Sequence, residues 1–184
     1  MTQTSALILP GMLGNASSVQ PLADALGARG VRAEVVALPG HGKAPWGMHL
    51  ASFEQVVSEL EHRLASPAAE PTVLFGHSMG GRLALALACS GGLPLARVVV
   101  SGAHPGIEDR GARHARRVWD HAQADRALAL GLGEFVCSWQ SLEVFRHEAR
   151  WSKEQREARR LAREDHTPEG VAWALRTLGA GSMV

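Results

Sequence analysis

Four short apolar stretches, at 6–9, 33–38, 72–75 and 97–101, punctuate the first hundred residues, and the segments between them repeat their apolar positions at helical spacing. Val19, Leu22, Ala23 and Leu26 fall at i, i+3, i+4 and i+7, as do Phe53, Val56, Val57 and Leu60, which gathers each set on one helix face. Ser52, three residues before Gln55, supplies a capping-box start for the second helix. The apolar stretches do not alternate with polar residues, as Val98-Val99-Val100 shows, so they read as strands buried on both faces. Strands alternating with helices predict an α/β fold with a mostly parallel, doubly wound sheet. Such sheets bind ligands at the carboxyl ends of their strands, where the strand order reverses.

Beyond Ser101 the texture changes. From about 106 to 180 the chain is charged and helical, and its one strand-like pair, Phe135-Val136, lies inside a helical pattern. Ser152 and Gln155 form a second capping box, and Thr167-Pro168-Glu169 opens a further helix with proline in its first turn. We therefore expect one structural domain, with a core at 1–105 and a helical cap at 106–180 inserted over the sheet.

Charge changes this picture little in sum and much in place. Nineteen basic and eighteen acidic residues leave a net charge of +1 over 184 residues, which argues against nucleic acid or an anionic membrane as a partner. Arginines nevertheless crowd two short segments, 110–117 and 156–163. Cys89 and Cys137 share no spacing motif and fall in helical segments, where we expect buried thiols in a reducing compartment. The N-terminus lacks a basic region, its apolar run breaks at Pro10-Gly11, and no segment is long and apolar enough to span a bilayer. A cytoplasmic protein is expected, with neither metal nor cofactor.

The chemistry concentrates at Gly76-His77-Ser78-Met79-Gly80-Gly81-Arg82, a G-x-S-x-G sequence between an apolar strand and an Ala/Leu-rich helix. Serine at that spacing can sit on a tight strand-to-helix turn with its hydroxyl exposed, and glycines let neighbouring backbone approach it. Ser78 is the candidate nucleophile. Leu9-Pro10-Gly11-Met12-Leu13-Gly14 follows the first strand and can aim the Met12 N–H at the same point as the Met79 N–H, forming an oxyanion hole. Leu38-Pro39-Gly40-His41-Gly42 closes the second strand, and His41 is read as a structural turn residue.

Together these motifs resemble the α/β-hydrolase superfamily over essentially the whole chain. More narrowly, the chain is similar to the 2-succinyl-6-hydroxy-2,4-cyclohexadiene-1-carboxylate synthase family of menaquinone biosynthesis. That resemblance rests on Gly76 to Arg82 with Leu83-Ala84-Leu85 after it, Ser101-Gly102-Ala103-His104-Pro105-Gly106, Arg113-x-x-Arg116 and the stretch from Phe135 to Trp139. It implies elimination of pyruvate from a cyclohexene dicarboxylate, with Ser78 abstracting a ring proton. It also implies that Arg82, Arg116 and Arg163 bind substrate carboxylates and that Trp139 forms an aromatic wall. The residues agree, since a polyanionic substrate calls for guanidinium forks and a neutral ester does not. A serine hydrolase acting on acidic esters, or a non-catalytic carboxylate-binding module, fits the same residues.

The resemblance also carries departures. Pro10 stands where a histidine is usual in the oxyanion turn. The family continues past the cap with two strands that bring the triad Asp and His, positions that lie beyond Val184, so the fold is expected to be C-terminally incomplete. The strand at 97–101 would then form a sheet edge, and either self-association through that edge or marginal stability is expected.

Overall fold

The computed structural model describes residues 5–43, 45–65 and 72–183. Its four strands are β1 (Ser5–Leu9), β2 (Arg32–Val35), β3 (Thr72–His77) and β4 (Leu95–Ser101). They pair in parallel in the order β2-β1-β3-β4. The chain moves from β1 to one neighbour, returns past it to β3 and continues outward, so the order reverses between β1 and β3. This is the α/β-hydrolase arrangement, and its switch point lies where Leu9 pairs with Gly76.

The helices between the strands form for the reasons their spacing gives. In α1 (Ala16–Gly27) Asn15 accepts from Ser18 N and the Ser18 side chain accepts from the Asn15 backbone, a reciprocal cap. In α2 (Phe53–Leu64) the Ser52 side chain accepts from Gln55 N, while the Gln55 side chain takes the Ala51 N–H, one residue earlier than a capping box requires. Phe53, Val56 and Leu60 point inward and meet Met79, Leu83, Ala84 and Leu87 of α3 (Met79–Ser90). Burying a leucine such as Leu83 contributes about 2 kcal/mol.

Two further expectations change. The second strand ends at Val35 rather than 38. Val36 N still reaches Ile8 O at 2.9 Å, but Pro39 then turns the chain, and Gly40 (φ 72) closes that loop by donating to Trp46 O. The thiols of Cys89 and Cys137 are exposed rather than buried. Cys137 follows buried Val136 around the helix, and Cys89 lies two positions past Leu87, so both turn outward.

C-terminal to β4 every described element is helical. The long α4 (Arg110–Gln140) breaks at Gly131 (φ 73), and after it come a 3-10 helix (Glu143–Arg150), α5 (Lys153–Glu164) and α6 (Pro168–Leu178). Ala124, Ala127, Phe135, Val136 and Trp139 of α4 pack against Val171, Ala172 and Leu175 of α6 and against Leu13 from the loop after β1. This second core fixes the helices to the loop that borders the site. β4 forms one end of the sheet among the described residues, with Val99 46% and Val100 39% exposed.

Candidate active site

Ser78 sits between β3 and α3 with φ 53 and ψ −115, a conformation that costs a serine backbone strain. The turn is held from three sides. Ser78 N donates to Ser101 O at 2.8 Å, Arg82 N donates to Ser78 O at 3.1 Å, and the glycines let the loops close on it. A Cβ on Gly80 would overlap the Leu9 and Pro10 carbonyls, one on Gly76 would lie 2.6 Å from Gly81 Cα, and one on Gly11 would lie 3.2 Å from Ser78 Cβ. The loop after β1 therefore lies against the serine. Among the described residues, neither the Met12 nor the Met79 N–H donates to a backbone acceptor in the turns, loops or caps.

A cavity of about 370 Å³ opens over this turn, lined by Gly11, Met12, His77, Ser78, Trp139, Arg159 and Arg163 among others. Trp139 is 8% exposed, and its indole N–H is buried without a partner. Burial and the nearby Arg159 charge lower the pKa of His77, keeping the ring neutral. Arg163 is 1% exposed. Its Nη1 and Nη2 donate to the two Glu148 carboxylate oxygens at 2.8 and 2.6 Å, and its guanidinium lies 4.4 Å from the Phe145 ring centre.

Four of the residues singled out from sequence, Ser78, Met12, Trp139 and Arg163, thus share one cavity, and Met79 is buried directly behind Ser78. Arg82 and Arg116 stand outside the described lining. Arg82 Nη1 donates to Met183 Sδ at 3.6 Å, and burial, with Arg116 nearby and partly offset by Asp120, lowers its pKa to about 10. Arg116 Nε donates to Asp120 Oδ1 at 2.9 Å. Sequence reasoning passed over two lining residues, His77 and Arg159. His77 is the variable position inside G-x-S-x-G itself, and Arg159 lies four residues before Arg163, on the same helix face.

No side chain among the described residues hydrogen-bonds to Ser78 Oγ, which caps nothing. His104 is tied to its own turn by Gly106, and His147 stacks edge-on against Trp151. His166 is enclosed with His41, whose Nδ1 lies 2.8 Å from Pro39 O, as a structural turn histidine would be. Among the described residues no cluster of three or more metal-ligating side chains occurs, and no helix is long and apolar enough to cross a membrane.

Comparison with known proteins follows the same lines. The 2-succinyl-6-hydroxy-2,4-cyclohexadiene-1-carboxylate synthase of Salmonella schwarzengrund is 32% identical over 168 residues, covering 91% of this chain and 64% of the relative. That of Salmonella newport gives the same figures. The chain therefore spans 64% of the length of these relatives. The structure of MenH from S. aureus superimposes with a TM-score of 0.92 at 28% identity, covering all of this chain and 69% of that one. A carboxylesterase of Nitrososphaera gargenis, at 14% identity and TM-score 0.78 over 97% of this chain and 64% of its own, shares the fold. The family model for serine aminopeptidase S33 hydrolases matches residues 2–176. Since that match takes in all four strands, the turn at Ser78 and nearly all of the helical region above it, the chain belongs to this family, within the α/β-hydrolase superfamily.

Proposed function

We propose that the chain carries the serine and cationic side of a lyase that eliminates pyruvate from 2-succinyl-5-enolpyruvyl-6-hydroxy-3-cyclohexene-1-carboxylate. The product would be 2-succinyl-6-hydroxy-2,4-cyclohexadiene-1-carboxylate, on the route to menaquinone. The observation that carries this reading is one cavity in which Ser78 faces arginines from α5, in a chain 32% identical to synthases of that name. In the reaction Ser78 Oγ takes a proton from the ring carbon. The electron pair left behind becomes the new ring double bond, and the carbon–oxygen bond to the enolpyruvyl group breaks. Pyruvate departs as its enolate and is then protonated. The Met12 and Met79 N–H groups stabilise negative charge that develops on an oxygen during proton abstraction. The cationic lining attracts the substrate carboxylates, which raises the local concentration of the anionic substrate and fixes the ring proton near Ser78.

A serine hydroxyl needs a base to act at neutral pH, and in the relatives' architecture that base and its acid fall in the part of their length that this chain does not span. Two exposed free thiols, Cys89 and Cys137, favour a reducing, cytoplasmic setting. The test is pyruvate release from the cyclohexene substrate by the protein and its Ser78→Ala variant. A fall of about a thousandfold or more is expected, and equal rates in the two would overturn the proposal.

The family's hydrolase character supports a second reading, hydrolysis of acidic esters by a covalent Ser78. Rapid labelling of Ser78 by a fluorophosphonate, with ester turnover and no pyruvate release, would favour it.

A further inference from the structure

Among the described residues, Arg159 is the cation in this cavity whose Nε no protein group accepts from. Glu148 is the carboxylate that faces Arg159 and Arg163, and it is already engaged by the paired hydrogen bonds from Arg163. The Arg159 Nε lies 3.9 Å from Glu148 Oε1, beyond hydrogen-bond range, and it is buried without a partner. Two guanidinium groups therefore share one carboxylate, in a place where the Arg159 side chain is only 25% exposed. The surplus positive charge faces the Ser78 cavity. The neighbouring groups add to the demand for an acceptor, since the Trp139 indole N–H is also buried and unpaired on the same lining. Arg159 further borders a second cavity of about 330 Å³ between α1 and α5, walled by Ser17, Ser18, Trp151 and Gln155. It thus stands on the partition between an outer compartment and the serine.

We propose that Arg159 is the anion-binding residue of this cavity, taking a substrate carboxylate from the outer compartment and holding it toward Ser78, while Arg163 is a positioning residue. Arg163 acts through Glu148: the paired bonds fix the carboxylate, and the carboxylate fixes the approach of Arg159 without neutralising it. A donor that is buried, charged and unpaired gains most from an anionic acceptor. This inference rests on the carboxylate-bearing substrate class of the proposed lyase, but not on its chemistry.

The experiment is calorimetric titration of the chain with a benzoate bearing a succinyl arm and with its uncharged diamide. The parent chain should prefer the dicarboxylate. Arg159→Gln should weaken dicarboxylate binding by roughly ten- to a hundredfold and leave the diamide unchanged, so that the preference for charge collapses. Arg159→Lys should retain part of that preference, which a purely structural role would not predict. Arg163→Gln should lower the melting temperature more than Arg159→Gln does. Unchanged dicarboxylate binding in Arg159→Gln, or a loss shared equally by dicarboxylate and diamide in both Arg159 variants, overturns the assignment. Failure to release pyruvate, with charge preference still dependent on Arg159, would remove the lyase reading and leave this one standing.

Discussion

His41 is enclosed at 8% exposure, and its ring lies edge-on to that of His166 at 5.3 Å. Burial, with a smaller contribution from His166 and against the Pro39 carbonyl, lowers its pKa to about 4. Burial lowers that of His166 too, with Lys43 acting in the same sense and Asp165 opposing. The folded state therefore favours neutral rings. Their contribution to stability is complete above about pH 6.5 and is lost as pH falls toward 4, worth about 3 kcal/mol for His41. Urea midpoints between pH 7 and pH 4.5 should fall in the parent and fall less steeply in His41→Gln; parallel slopes would contradict this. Gly80 is constrained by space alone. In Gly80→Ala the methyl must displace the Leu9 and Pro10 backbone, and a loss of about 3 kcal/mol is expected in thermal unfolding. At this scale the turn that carries Ser78 and Met79, and the loop that brings Met12 beside it, were legible because glycine spacing dictates a backbone path. Arg159 was not, since four arginines crowd 156–163 and only the packing of α5 decides which ones face the serine.

Glu148 is the buried carboxylate that joins two of the elements around the site. It lies on the 3-10 helix and reaches α5 through Arg163. Glu148→Gln would leave Arg163 buried without its counter-charge, and a loss of roughly 3–5 kcal/mol is expected from denaturant midpoints. Hydrogen exchange should show α5 losing protection while α3 keeps it; uniform loss across both would mean the pair serves the whole fold instead. The helices of this region were readable from Ser152 and Thr167, whose side chains do cap α5 and α6. The Asn15 cap was not, because asparagine answered by Ser18 lies outside the usual Ser/Thr with Glu/Gln pattern. The break in α4 left little signal either, since a glycine within a helical pattern is ordinarily tolerated and only its φ of 73 at Gly131 reveals the bend.

For the molecule as a whole, the parallel sheet with helices between its strands follows from the alternation of apolar runs, the strand order comes from the structure, and β4 ends the sheet among the described residues with Val99 and Val100 exposed. An unpaired edge of this kind recruits other strands. Sedimentation of this chain should show concentration-dependent association, which the double substitution Val99→Lys and Val100→Lys abolishes; a parent that stays monomeric at high concentration would rule the prediction out. The pairing of Leu9 with Gly76 has a different reach. A parallel strand advances about 3.3 Å per residue, and only a slip by two residues keeps its inward face inward, a displacement of about 6.6 Å. Such a slip would carry Gly11 and the Met12 N–H away from Ser78 while leaving the helices formed and the core closed. The approach of the loop after β1 to Ser78 is in that sense a proofreading signal for the sheet: a refolded population can look native by circular dichroism and still be sorted, molecule by molecule, by whether Gly11 lies against the serine.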